Sequence, residues 1–109
     1  MSRVLKREQA RRDLTQQWVW YAENSGVETA DRFLAEAEDS FLFLANRPRA
    51  GALVFRKRAE LRDLRRWALG GDFANILIFY LPHTDGIELI RVIHGKRNTV
   101  ELLEEGPIR

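Results

Sequence analysis

Two helical stripes, separated only by Ser25-Gly26, constrain the fold of this chain more than any other feature. From about Arg7 to Asn24, Ala10, Leu14, Trp18 and Tyr21 recur at spacings of three or four, while Arg11, Arg12, Gln16 and Glu23 fall elsewhere. That period is the signature of an amphipathic helix. A second stripe of Ala30, Phe33, Leu34, Ala37, Phe41, Leu44 and Ala45 predicts a helix running to about Ala45. Ser25 stands three residues before Glu28, the spacing of a reciprocal N-terminal cap. Asn46 and Pro48 predict the stop, since asparagine tolerates a left-handed closing conformation and proline cannot continue a helix. So short a connection makes the two helices fold back as a hairpin, and each then presents an apolar face that needs a surface to cover.

The second half of the chain supplies that surface. Strand-like runs occupy about Arg62 to Leu69, Phe73 to Leu81 and Ile87 to His94. Gly70-Gly71-Asp72 and Pro82-His83-Thr84-Asp85-Gly86 between them have the composition of turns joining antiparallel strands. Val4-Leu5 reads as a first edge strand, and Arg47 to about Glu60 as an irregular basic loop. The expected class is α+β in the order β-α-α-β-β-β, a helical hairpin packed on one face of a small antiparallel sheet. A short helix from Asn98 to Glu105, capped by Asn98 and Glu101, is expected at the end. Leu14, Trp18, Phe33, Leu34, Ala37, Phe41, Leu44, Ile76, Ile78, Ile90 and Val92 are expected to form one core.

At 109 residues, with 45% hydrophobic and 31% charged residues, the chain has material for one modest core, so residues 1–109 read as a single domain. Without cysteine, disulfides, thiolate chemistry and cysteine-based zinc sites are excluded, and two histidines leave no histidine-rich ligand set. No metal or cofactor is expected. No run approaches the roughly 18 apolar residues of a membrane span, and Met1 to Lys6 lacks the apolar core of a signal peptide, so a cytoplasmic location is expected. The net charge of +2 is unevenly spread. From Arg47 to Arg66, eight cations face two acids (8 − 2 = +6), leaving −4 for the remainder (2 − 6). Such a block suits an anionic partner, either nucleic acid or an acidic protein segment, or else a solvated strand edge that uses charge to discourage pairing.

The last strand, Ile87 to Ile93, delivers His94-Gly95-Lys96-Arg97-Asn98, an imidazole followed by cations. Arg65, Arg66, Arg91, His94, Lys96 and Arg97 are therefore the candidate contact residues for a target or partner. RNA cleavage through the 2′-hydroxyl needs a proton acceptor, a proton donor and cations around the phosphorane-like transition state, and His94, Arg65 and Arg91 are the candidates for those roles. Each has a plainer reading. His94 can donate to a backbone carbonyl at the strand end, and Arg91, alternating with Ile90 and Val92, can pair with a helix acid such as Glu36 or Asp39. Tyr80 falls in an apolar strand and reads as core, His83 as exposed. Trp18 lies on the apolar stripe, whereas Trp20 lies off it, as a protein contact would.

Taken in order, these segments resemble the RelE/ParE superfamily of toxins from type II toxin–antitoxin pairs. The likeness rests on Asp13-Leu14 with Trp18 to Tyr21, on Gly26 to Ala30, and on Leu44 to Gly51. It continues through Leu61 to Arg66, Ile78-Phe79-Tyr80 and Ile90 to Asn98. The ending of the last strand is most similar to the ParE branch. That resemblance implies a toxin that inhibits DNA gyrase by protein binding, without catalysis, and forms a hetero-oligomer with a cognate antitoxin. The antitoxin is expected to use an acidic, partly disordered segment whose apolar side chains fill the groove beside the hairpin and whose backbone adds to a sheet edge. The RelE-like alternative is a ribosome-dependent mRNA endoribonuclease, for which a tyrosine or second histidine near Lys96 would have spoken; the run after His94 holds neither.

Overall fold

A computed structural model describes residues 2–54 and 61–95. Strand β1 (Arg3–Lys6) is followed by helices α1 (Glu8–Ser25) and α2 (Val27–Asn46), and then by β2 (Ala52–Leu53), β3 (Arg65–Ala68), β4 (Ile76–His83) and β5 (Gly86–His94). The sheet order is β1-β5-β4-β3-β2. Strands β2 to β5 pair antiparallel, as the turns predicted, while β1 joins parallel to β5 with Arg3 opposite Gly86 and Lys6 opposite Leu89. The two-residue β2 lies within the stretch read as irregular loop. The expected short helix from Asn98 to Glu105 falls outside the described residues.

Gly26 alone links the helices, at φ +94°, a conformation that side chains with a Cβ rarely adopt. Ser25 is still the last residue of α1, so its hydroxyl does not cap α2, and the expected reciprocal cap with Glu28 is not formed. The end of α2 also differs from expectation. Asn46 stays helical and donates its side-chain amide to the Leu42 carbonyl at 2.9 Å, and no residue other than glycine has positive φ among those described. Strand β4 runs two residues past Leu81, through Pro82. Because β3 reaches no further than Tyr80, that part of β4 is free on one side and the missing proline N–H costs no ladder bond.

The sheet is buried on both faces. Against the hairpin, Ala10, Leu14, Phe33, Ala37, Phe41 and Leu44 meet Ile76, Ile78, Tyr80, Leu89 and Val92, with Trp18 packed at the margin. On the other face, Leu61 and Leu64 cover Phe79, Ile90 and Ile93. The single core expected from the sequence is therefore two clusters, and Ile90 belongs to the second. Leu34 lies outside both at 38% exposure. It flanks the α2 stripe centred on Phe33, Ala37 and Phe41, so the helix turns it past the contact with the sheet.

Phe41 is fully enclosed. Replacing it with alanine should cost about 3–5 kcal/mol and lower the melting temperature by about 12 °C or more. A thermal melt within a few degrees of the parent would contradict the hairpin-to-sheet core.

Candidate functional site

Strand β1 stops at Lys6. The chain turns there, Arg7 donating its N–H to the Leu89 carbonyl at 3.1 Å, and from Ile90 onward α1 rather than a strand flanks β5. A backbone N–H pointing out of that flank needs an acceptor, and Asp13 provides one: its Oδ2 accepts the Val92 N–H at 2.9 Å. The same carboxylate takes Arg91 Nε at 2.8 Å and Arg91 Nη2 at 3.2 Å, and Gln9 adds a bond at 3.1 Å. Side-chain exposure is only 9% for Arg91 and 6% for Asp13. This is a buried, two-pronged ion pair whose carboxylate also stands in for a neighbouring strand.

The bulge in β5 aims Arg91. Phe79 pairs with Arg91 and Tyr80 with Leu89, which leaves Ile90 as one extra residue on β5. Such a bulge bends a strand and redirects its side chains, so simple alternation no longer tells which way Arg91 points. Its partner is accordingly Asp13 on α1, not Glu36 or Asp39 on α2. The signal was present in the sequence, because Asp13 sits on the same helical face as Ala10, Leu14 and Tyr21, an acid within an apolar stripe.

Above this pair lies a cleft of about 360 Å³ between α1 and the end of β5, bordered by Gln16, Gln17, Trp20, Ile93 and His94. Trp20 is 52% exposed at its rim, the placement its position off the apolar stripe predicted. Trp18, by contrast, packs against the core and donates its indole N–H to Asp31 at 3.1 Å.

A second constellation fastens the loop after α2. Tyr80, buried as expected, donates its hydroxyl to the Pro48 carbonyl at 2.8 Å and accepts the Gly51 N–H at 2.9 Å. Arg65 Nη1 donates to the Arg49 and Gly51 carbonyls at 3.1 and 2.8 Å. Only glycine fits at position 51, since a Cβ would lie 2.6 Å from the Tyr80 hydroxyl and 2.8 Å from the Arg66 carbonyl. Burial pushes the Tyr80 phenol above its usual pKa, outweighing the downward pulls of the Gly51 N–H and the Arg65 charge.

The six candidate contact residues are thus dispersed. Arg65 is turned into the loop at 13% side-chain exposure, and Arg66, next to it on β3, is exposed. Arg91 holds Asp13, His94 borders the α1 cleft, and Lys96 and Arg97 lie outside the described residues. The three residues considered for RNA cleavage are not gathered at one point. His94 is opposite Ile76 and Arg65 opposite Tyr80, four positions apart along β4, or about 13 Å, and on opposite sides of it. Among the described residues, no group of three histidine, aspartate or glutamate side chains is placed to hold a metal, and no helix is long and apolar enough to cross a membrane.

Comparison with known proteins resolves what this arrangement belongs to. The family model for the ParE toxin of the type II toxin–antitoxin system parDE matches residues 4–99. The chain belongs to the ParE toxin family. A solved chain of the chromosomal ParDE toxin–antitoxin system from P. aeruginosa has the same fold, with a TM-score of 0.67 at 16% identity, covering 86% of this chain and 96% of that one. No curated protein matches the sequence. As a ParE-family toxin the chain has a cognate antitoxin for partner.

The fastened loop gives a prediction with a pH dependence. Tyr80→Phe should cost about 1–3 kcal/mol, because Pro48 and Gly51 lose their buried partner. A phenol whose folded pKa is raised lends stability that is complete below the unfolded value near 10 and lost as pH rises above it. The parent's melting temperature should therefore decline above about pH 10, and the decline should be shallower in Tyr80→Phe. Equal melting temperatures at neutral pH would contradict the role given to Tyr80.

Proposed function

We propose that this ParE-family toxin inhibits DNA gyrase by binding it, without transferring a proton, and that its antitoxin neutralises it through the cleft beside Trp20. The observation that carries the reading is the dispersal of the charged side chains. Arg65 fastens a loop, Arg91 is engaged with Asp13, and His94 stands apart from Arg65, so among the described residues the acid, base and phosphate-binding cation that RNA cleavage requires have no common focus. Surface complementarity, by contrast, needs no such focus. The exposed Trp20 and a cleft partly lined by β5 suit an apolar anchor on a peptide, and aromatic rims of this kind carry much of the energy in protein contacts. Arg66, His94, Lys96 and Arg97 are the proposed gyrase or antitoxin contacts, with Arg65 and Arg91 acting mainly by holding the surface in shape.

Induction of the toxin alone, followed by parallel assays of gyrase supercoiling and mRNA integrity, tests this. Supercoiling should fall while ribosome-bound mRNA stays intact. His94→Gln, which keeps a hydrogen-bonding side chain, should retain most of the toxicity, whereas charge reversal at Arg66 or Arg97 should weaken it more. Loss of a proton-transfer group typically costs roughly 10²–10⁴ in rate. Cutting of mRNA at defined codons, abolished by His94→Gln in a folded protein, would replace the gyrase reading with the endoribonuclease one.

A further inference from the structure

The loop after α2 and the β4–β5 hairpin enclose a second cleft, of about 850 Å³, that the binding surface beside Trp20 does not include. Arg47 and Arg49 project from one wall, and His83 and Thr84 form the other. Arg47 lies over the Phe43 ring at 5.0 Å and pairs with no carboxylate among the described residues. Arg49 is 73% exposed and lies 3.7 Å from Asp63, an acid it shares with Arg65 at 3.6 Å. Among the described residues, Asp63 therefore serves two arginines, and Arg47 has no carboxylate of its own. Across the cleft, Glu88 is already engaged by Arg7 at 2.6 Å and by His83 at 3.0 Å, and Asp85 by Arg3 at 3.1 Å. Among the described residues, the cleft is left with a surplus of positive charge.

The backbone carrying these arginines is held in place. Tyr80 and Arg65 bind the carbonyls of residues 48, 49 and 51, and Ala50 donates to the Arg47 carbonyl at 3.0 Å. Guanidinium groups carried on a backbone held in this way need only side-chain ordering when an anion arrives, not ordering of the loop as well. Their forked donors match phosphate oxygens as well as carboxylates. What separates the two is the rest of the lining: Pro48, Ala50 and Pro82 supply no deep apolar pocket for the anchors of a peptide, and the one aromatic ring among the described lining residues, the His83 imidazole, is held to Glu88 at 3.0 Å and not presented as a stacking platform.

We propose that this cleft seats backbone phosphates of duplex DNA, contacting them without reading sequence. The inference rests on the gyrase reading for its setting, in which the toxin touches the DNA that the topoisomerase holds, but the contact itself is a property of this chain. The full-length toxin, free of antitoxin, should bind a short labelled DNA duplex in fluorescence anisotropy with gyrase absent. The logarithm of its affinity should fall linearly with the logarithm of salt concentration. Arg47→Gln combined with Arg49→Gln should weaken binding and make that slope shallower by about 2, one unit for each phosphate contact. Replacing both with lysine should restore the slope, and changing Arg11 and Arg12 on α1 to glutamine should leave it unchanged.

Absence of duplex binding, or an unchanged slope in the Arg47 and Arg49 double variant, overturns the proposal. Equal displacement of the duplex by a polyglutamate peptide of matched charge also overturns it, in favour of an acidic protein partner. A supercoiling assay run on the parent toxin keeps the two readings separate. Unimpaired supercoiling with intact cleft binding removes gyrase and leaves the DNA site, whereas impaired supercoiling with an unchanged slope does the reverse.

Discussion

The Asp13 carboxylate, held between Arg91 and the Val92 N–H, is the interaction on which the rest of this toxin depends. A strand that outruns its neighbour exposes backbone donors, and an exposed edge invites pairing with other chains. Here β1 supports only the first half of β5, and α1 must close the rest. Its carboxylate satisfies a backbone group, and Arg91 neutralises a charge that burial would otherwise make costly. Hairpin and sheet are thereby locked at one angle, and the cleft beside Trp20 takes its shape from that angle.

A second lock governs the other end of the molecule. The basic loop would be a poor binding surface if its arginines wandered, because ordering them would consume much of the interaction energy. Tyr80 and Arg65 hold the loop backbone from within the fold, so that only the arginine side chains are left to order, and a glycine at position 51 lets the loop lie against the phenol. Charged residues in this toxin thus divide by burial. Arg65 and Arg91 act inward on structure, while Arg47, Arg49 and Arg66 remain exposed.

Much of the fold was legible because it follows from period and turn chemistry. The two helices, their hairpin, the two long strands β4 and β5 and most of the hairpin-side core can be read from apolar spacing and turn composition, whereas the strand expected over Arg62 to Leu69 shortens to Arg65–Ala68. The parts that escaped depend on tertiary context. The bulge at Ile90 has no local signature in the run Ile87 to Ile93, so the side of the sheet that Arg91 reaches could not be read, and Asp13, although visible as an acid within the apolar stripe of α1, could not be matched to it. Leu61 and Leu64 lie in a basic stretch whose charge masks its role as cover for the second face of the sheet. Pro82 looked like a turn residue because its tolerance in β4 depends on where β3 ends. Among the site residues, position along the sequence suggested convergence near His94, but register along β4 separates Arg65 from it.

A double-mutant cycle on Asp13 and Arg91, measured by chemical denaturation, tests the central claim most directly. Asp13→Asn and Arg91→Gln should each cost about 3–5 kcal/mol, a large share of the 5–15 kcal/mol typical of a folded domain, since the first removes the charged acceptor shared by Arg91 and the Val92 N–H and the second removes the cation that Asp13 binds in a buried site. The double variant should cost clearly less than the sum of the two, giving a coupling energy of order 1–3 kcal/mol. A stable Arg91→Gln protein that unfolds like the parent yet has lost its toxicity would contradict the account, because Arg91 would then be a contact to the target and not the residue that holds the fold together.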